Sequence, residues 1–269
     1  RLDPSMSIMQ GINAKVRKNP KRVVFAEGED ENMLKAAIEF GKNKLGIPIL
    51  IGAEKRIKEQ LKKIGLDENH KIEILNSTNK EKRQKYVKHL YKRLQREGQL
   101  ERDVDRLVRN DRIAWGASMI ACKDADAMVT GNSRKYFSSL EKITKVVDPR
   151  PGEIMFGLNM IVSKGKTVFI ADTAVHEYPS SEQLSEIAIS AARVVRLFGF
   201  NPKVAFLSHS TFGQPITSRT KHIRDAVDIL QDKKVDFQFD GDMQPDVALS
   251  EEYKELYPFS GIVGNANIL

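Results

Sequence analysis

Short apolar runs alternate along this chain with longer stretches whose apolar residues recur every three to four positions. Val23 to Ala26, Ile47 to Ile51 and Ile72 to Leu75 are of the first kind, and Glu31 to about Lys44 is of the second. The opening part therefore predicts a β-α-β unit with further strand-helix alternation behind it. Basic helices follow, then a strand at Ala127 to Thr130 and a helix from about Lys135 to Val147. Asp148-Pro149-Arg150-Pro151-Gly152 interrupts the pattern, because two prolines fix the backbone where a glycine frees it, so residues 148–152 are the expected hinge. Beyond it, Ile154 to Val162 and Thr167 to Ala171 predict a hairpin joined by Ser163-Lys164-Gly165-Lys166. A helix from about Ser181 to Phe198, a strand at Val204 to Leu207, a helix from about Ser218 to Leu230 and a strand at Val235 to Phe239 restore the alternation. The expectation is an α/β chain of two three-layer lobes, residues 1–148 and 149–269, each with a mostly parallel sheet between helices.

With 269 residues, 41% of them apolar, the chain can fill such cores. No apolar run approaches the roughly 20 residues of a membrane span, no secretory leader opens the sequence, and the single Cys122 excludes an intrachain disulfide. A cytoplasmic location is expected, with no membrane partner. The first residue is Arg1 and the last run, Ala266-Asn267-Ile268-Leu269, reads as a buried strand just entered, so both ends are expected to continue.

The net charge of +8 is uneven: residues 1–120 carry 27 Lys/Arg against 17 Asp/Glu, and residues 121–269 carry 17 against 19. Lys80 to Arg112 is the densest basic stretch and suggests nucleic acid. Glu81, Glu97 and Glu101 interleave it, however, and Tyr86 and Tyr91 fall in one stripe with Leu90 and Leu94. That pattern is a solvated helix face over a core stripe, and no nucleic-acid partner is expected.

In open α/β sheets ligands gather at the carboxyl ends of the strands. After Val204 to Leu207 come Ser208-His209-Ser210-Thr211-Phe212-Gly213-Gln214-Pro215, whose hydroxyls and backbone N–H groups ahead of a helix suit an anion. Gly131-Asn132-Ser133-Arg134-Lys135-Tyr136 repeats the arrangement with two cations. Asp172 and Asp240-Gly241-Asp242 also follow strands, but aspartates are ordinary turn formers and their spacing specifies no metal site. Glu27 to Glu31 would repel phosphate, so its acids are expected to cap the next helix or face a cation. No P-loop, GxGxxG, HExxH or CxxC pair occurs. Cys122 sits in an apolar run and His209 beside its serines makes no triad, so no catalytic residue is expected.

Several strings together, KRVVFAEGED, KDADAMVTG, ADTAVHEYPSSEQLSEIA, VAFLSHSTFG, DGDMQPDVAL and GNANIL, resemble the phosphate acetyltransferases, which move an acetyl group between phosphate and the thiol of coenzyme A. They run in order over nearly the whole chain. The resemblance implies the isocitrate dehydrogenase-like fold of that family, an active cleft between two lobes, a first lobe completed by chain beyond residue 269, and a dimer. The opening RLDPSMSIMQ is similar to the phosphotransacetylase-like domain behind the catalytic part of bacterial NADP-dependent malic enzymes. In such enzymes malate is oxidatively decarboxylated to pyruvate with NADP and a divalent metal, Mg or Mn, all handled ahead of this domain, which itself needs no cofactor.

The resemblance implies ligand contacts for acetyl-CoA or phosphate at Ser208, Ser210, Thr211, Phe212, Gly213, Arg134, Tyr136 and Asn267. Against the transferase pattern, the Ser-Arg pair and acidic base belong to a tail beyond Leu269, Glu141 stands where an arginine grips phosphate, and Phe212 replaces the lysine of STKG. Each unit charge at roughly 4 Å and an effective dielectric of about 20 is worth on the order of 4 kcal/mol, so replacing a cation by an anion should greatly weaken acetyl phosphate binding. Phe212 would instead stack on adenine or cover the pantetheine arm. The resemblance thus implies a domain that senses acetyl-CoA and assembles the oligomer, with lobe closure about Asp148 to Gly152 as the switching element. A working acetyltransferase and a purely structural dimerisation module are the alternatives.

Overall fold

A computed structural model of the chain describes residues 4–65, 72–76, 78–163, 165–213 and 217–269. These form two compact units, residues 13–148 and residues 149–269 with residues 1–12. Lys164 of the expected hairpin turn and Gln214-Pro215 after Gly213 lie outside the described residues.

The chain opens with α1 (Pro4–Lys18), β1 (Lys21–Phe25), α2 (Glu31–Lys42), β2 (Gly46–Ile51), α3 (Glu54–Lys63) and β3 (Glu73–Leu75). Next come α4 (Lys80–Leu94), α5 (Glu101–Asn110), α6 (Arg112–Ala121), β4 (Ala127–Val129) and α7 (Tyr136–Thr144). The four strands pair in parallel in the order β3-β2-β1-β4. Side-chain alternation splits each strand between two cores. Val24, Ile49 and Ile51 face Tyr86, Leu90, Val104 and Trp115 from α4, α5 and α6, whereas Val23, Phe25 and Leu50 face Leu34, Ile38, Ile57 and Leu61 from α2 and α3. Each such side chain contributes about 1.5–3 kcal/mol of burial, which is why the sheet carries helices on both sides. The basic stretch is not one helix: α4 ends at Leu94, a 3₁₀ turn follows, and Gly98 takes φ 80. Some of its cations are paired within the protein, Lys82 with Glu73, Arg83 with Asp105, Lys85 with Asp124, Arg93 with Asp148 and Arg112 with Glu29.

In the other unit β5 (Leu158–Ser163) and β6 (Lys166–Ala171) form the antiparallel hairpin. There follow α8 (Ser181–Leu197), β7 (Lys203–Leu207), α9 (Ser218–Asp232), β8 (Gln238–Met243) and α10 (Pro245–Leu249). Capping boxes at Ser180/Gln183 and Thr217/Thr220 start α8 and α9. β7 and β8 pair in parallel, and Ile268 bridges to both Phe169 and Val204, so the last residues lie between β6 and β7. Phe169, Val204 and Phe206 pack against Ala188, Ala192 and Leu230 of α8 and α9 on one face, and Ala205 and Met243 against Val247, Ile262 and Val263 on the other.

Two expectations shift. The first hairpin strand starts at Leu158, not Ile154, and β8 runs from Gln238 through Asp240-Gly241-Asp242, which was expected to lie beyond the strand. Gly241 permits this, because a Cβ there would stand 2.7 Å from the Cβ of Phe206 and 2.8 Å from its carbonyl oxygen. Gly264 is under a stronger constraint. Its φ is 69, and a Cβ would lie 2.7 Å from Glu251 Cα and 2.8 Å from Ser250 O. Left-handed backbone costs an L-residue about 1–2 kcal/mol and the backbone overlap about 1–3 kcal/mol more. Gly264→Ala is therefore expected to lose about 2–5 kcal/mol in urea unfolding; a loss under about 0.5 kcal/mol, the level of an ordinary surface change, would show that the loop shifts freely.

Candidate functional site

β7 delivers Ser208 to Gly213 at its carboxyl end, and β8 and α9 supply the partners that hold this loop. Ser208 N donates to Met243 O and Phe212 N to Asp242 O, both at 2.9 Å. Ser210 Oγ donates to Asp242 Oδ2 at 3.0 Å, and Arg224 Nε of α9 donates to Asp242 Oδ1 at 2.9 Å. Arg224 also reaches Gly213 O at 3.2 Å, Thr211 Oγ1 accepts from Gln244 N at 3.0 Å, and Gln244 Nε2 donates to His209 O at 3.1 Å. Asp242 is fully buried, so a paired carboxylate forms the floor. The backbone N–H groups of His209, Thr211 and Gly213 donate to no acceptor among the described residues. The loop thus presents neutral backbone donors, and its Ser210 hydroxyl is already engaged.

Phe212 sits at φ 46, a left-handed conformation that costs a bulky residue roughly 1–2 kcal/mol. Its ring packs 5.0 Å from that of Phe259 and 5.6 Å from that of Tyr257. These contacts offset the strain; the ring, expected to stack on adenine or cover the pantetheine arm, packs against the protein's own aromatics and stays partly exposed.

The second expected anion loop belongs to the other unit and is filled from within. Gly131 at φ 100 turns three successive N–H groups toward Glu27. Gly131 N and Asn132 N donate to Glu27 Oε2 at 3.0 and 2.9 Å, and Ser133 N and Oγ to Oε1 at 3.2 and 2.6 Å. The cradle has the geometry of an anion nest, and the protein's own carboxylate occupies it. Burial pushes the Glu27 carboxyl up, but the Ser133 hydroxyl and the three backbone donors outweigh it and hold it below its ordinary value. Nearby, Asp30 caps α2 by accepting from Met33 N, and Glu29 accepts from Ala53 N, Arg56 and Arg112. Arg134 and Tyr136 stay exposed beside this filled loop, with Tyr136 edge-on to Phe137 at 5.5 Å. Glu141 on α7 pairs with Lys145 at 2.7 Å, both well exposed, so its charge is largely cancelled and screened. The reversed field expected at that position shrinks accordingly.

Asn267 does not join the loop. Its Oδ1 accepts from Lys203 N and its Nδ2 donates to Asn201 O, each at 2.8 Å, at the start of β7. A five-residue strand, about 16 Å long, separates that end from Ser208. The aspartates are likewise committed separately. Asp172 accepts from the backbone of Gly157, Ala174, Val175 and His176 and from His176 Nδ1 at 2.7 Å, while Asp240 accepts from Gly241 N. Among the described residues no three His, Cys, Asp or Glu side chains gather to hold a metal ion. No helix among the described residues is long and apolar enough to cross a membrane. Cys122 is half-buried at the end of α6, where burial raises its thiol.

A parallel four-stranded sheet, a second unit that carries the Ser208 loop, and a family model described as Phosphate acetyl/butaryl transferase that matches residues 7–269 define the class. The chain belongs to this family. Within it, the chain is 44% identical to an NADP-dependent malic enzyme of Rhizobium meliloti, aligned over all of this chain and 36% of that protein. It is 31% identical to a phosphate acetyltransferase of Clostridium acetobutylicum, over 98% of this chain and 81% of that one. A phosphotransacetylase from Streptococcus pyogenes superposes with a TM-score of 0.87 at 25% identity, covering 98% of this chain and 80% of that one. The chain spans about a third of the length of the malic enzymes it matches.

Proposed function

We propose that this chain is a non-catalytic, acetyl-CoA-sensing and oligomerising domain of a cytoplasmic NADP-dependent malic enzyme. The observation that carries the reading is the loop at Ser208 to Gly213. Where the transferases have a lysine it has Phe212, held in an aromatic cluster, and its Ser210 hydroxyl is bound to a buried carboxylate already answered by Arg224. Free backbone donors suit the phosphates of a bound nucleotide-like effector, whereas turning over acetyl phosphate calls for cations at the reacting group. NADP and the divalent metal would be held by the remainder of such an enzyme. The match to malic enzymes across the whole of this chain supports that context.

Acetyl-CoA at about 100 times its dissociation constant is expected to stabilise the full-length enzyme's domain by about 2.7 kcal/mol, read as a rise in melting temperature. Acetyl phosphate should leave the melt unchanged, and an acetyl-transfer assay with coenzyme A should show no turnover. Robust turnover overturns the non-catalytic reading; absence of acetyl-CoA binding by calorimetry overturns the sensor. Ser210→Ala with Thr211→Ala separates sensing from scaffolding, since a purely structural module would keep both its assembly and its response to ligand.

A further inference from the structure

We propose that the cavity at the carboxyl ends of β2 and β3 is a second, independent binding site for a small organic polyanion, a metabolite bearing at least two carboxylate or phosphate groups. The cavity encloses about 420 Å³ and lies wholly within the unit of residues 13–148. A single inorganic anion is too small for it, and the volume falls in the range of roughly 300–1,000 Å³ that small-molecule sites occupy.

Three arginines line it, Arg56, Arg109 and Arg112, with Asn76 and Thr78 as neutral polar groups. Glu29 and Asp111 are the opposing carboxylates, and both are answered from within the protein, Glu29 by Arg112 and Arg56 and Asp111 by Lys142. Burial raises the Glu29 carboxyl, but Ala53 N–H and Arg112 overcome that and keep it ionised, which fixes Arg112 at the wall. Arg109, exposed near the end of α5, has no ion-pair partner among the described residues. The wall is therefore net positive, with one guanidinium uncommitted.

Trp115 of α6 is an independent observation. It is 1% exposed and lines the cavity, its ring edge-on to Tyr86 at 5.0 Å, and among the described residues its Nε1 has no hydrogen-bond partner. An indole N–H can only donate, and buried ones ordinarily find an acceptor. Nε1 itself is shielded, so an anion held near Arg109 satisfies both groups once the indole edge turns toward it, at the strand ends where α/β sheets collect ligands. The Ser208 loop belongs to the other unit, so the fate of this site does not depend on acetyl-CoA sensing.

Trp115 is the only tryptophan in the sequence, so the ¹⁵N-labelled 269-residue chain gives a single indole N–H resonance. Citrate and pyrophosphate, titrated at constant ionic strength against potassium chloride, probe the carboxylate and phosphate sources separately. Saturable movement of that resonance with at least one of them is expected, and Arg109→Ala should weaken it about tenfold, which is about 1.4 kcal/mol. Trp115→Phe followed by calorimetry with the same probe should show a comparable loss, and it keeps the test decisive if Arg109→Ala perturbs the fold. No movement with either probe up to about 10 mM, a range reaching past millimolar binding, overturns the proposal. So does movement matched by chloride, or undiminished affinity in both variants.

Discussion

Asp242→Ala is expected to lower the unfolding free energy by about 3–5 kcal/mol and to free the Ser210 and Arg224 side chains from the floor of the Ser208 to Gly213 loop. The magnitude follows from what the carboxylate holds. Asp242 is 0% exposed, Oδ1 takes the Arg224 guanidinium and Oδ2 takes the Ser210 hydroxyl. Removing the carboxylate strands a guanidinium beside a dry floor and leaves a hydroxyl without its acceptor. Arg224 keeps a third of its side chain exposed and recovers some hydration, which favours the lower part of the range. Asp242→Asn is expected to cost only about 1–2 kcal/mol, because the amide oxygen still accepts from Arg224 and the amide nitrogen can donate to Ser210. Urea unfolding at neutral pH measures both. If Asp242→Ala lost under about 1 kcal/mol, no more than an exposed ion pair is worth, the loop would have to be held by something other than this pair. Acetyl-CoA affinity, measured below the unfolding transition, should fall with Asp242→Ala and hold with Asp242→Asn.

The same residue shows where sequence reading stops. The alternation of Val23, Val24 and Phe25 and the helical spacing after Glu31 disclose β1, α2 and β2, because each element buries a face set by its own local period. Asp240-Gly241-Asp242 reads as a turn, because local chemistry disfavours two aspartates and a glycine in a strand. What makes β8 continue is Arg224, 18 positions away on another helix, and that pairing has no local signal. Phe212 looks available for a ligand until Tyr257 and Phe259 fold onto it from more than 40 residues downstream. Trp115 reads as a core residue in an apolar helix; its unpartnered N–H emerges only when Arg109 and Asn76 are brought to the same wall. Asn267 carries no warning in GNANIL that both its polar atoms tie down the start of β7. Strand ends and donor-rich loops were legible in the sequence; the groups that fill or neutralise them come from distant segments.

Glu27 allows that distinction to be tested on one cradle. Glu27→Ala is expected to cost about 2–4 kcal/mol, since three backbone N–H groups and a hydroxyl lose a buried acceptor that is only 4% exposed in the native chain. Glu27→Gln should cost nearly as much, because its NH₂ turns a donor toward donors. The pH dependence has a definite sign. The folded carboxyl lies below its ordinary value of 4.5, so its stabilisation is fully present above that value and is lost as pH falls through the lower, folded one. The unfolding free energy of the native chain should therefore drop more steeply from about pH 5 downward than that of Glu27→Gln, whose uncharged amide does not titrate. Glu27→Ala further opens the nest to solution. Formate supplies the missing carboxylate, and at about ten times its dissociation constant it should restore about 1.4 kcal/mol, where chloride at equal ionic strength restores less. Equal rescue by the two salts, with parallel pH profiles for native chain and Glu27→Gln, would mean that Gly131 to Ser133 do not act as an anion cradle. Selective rescue would show that the loop after β4 binds carboxylates through its backbone, and that in the native chain the ligand is Glu27 itself.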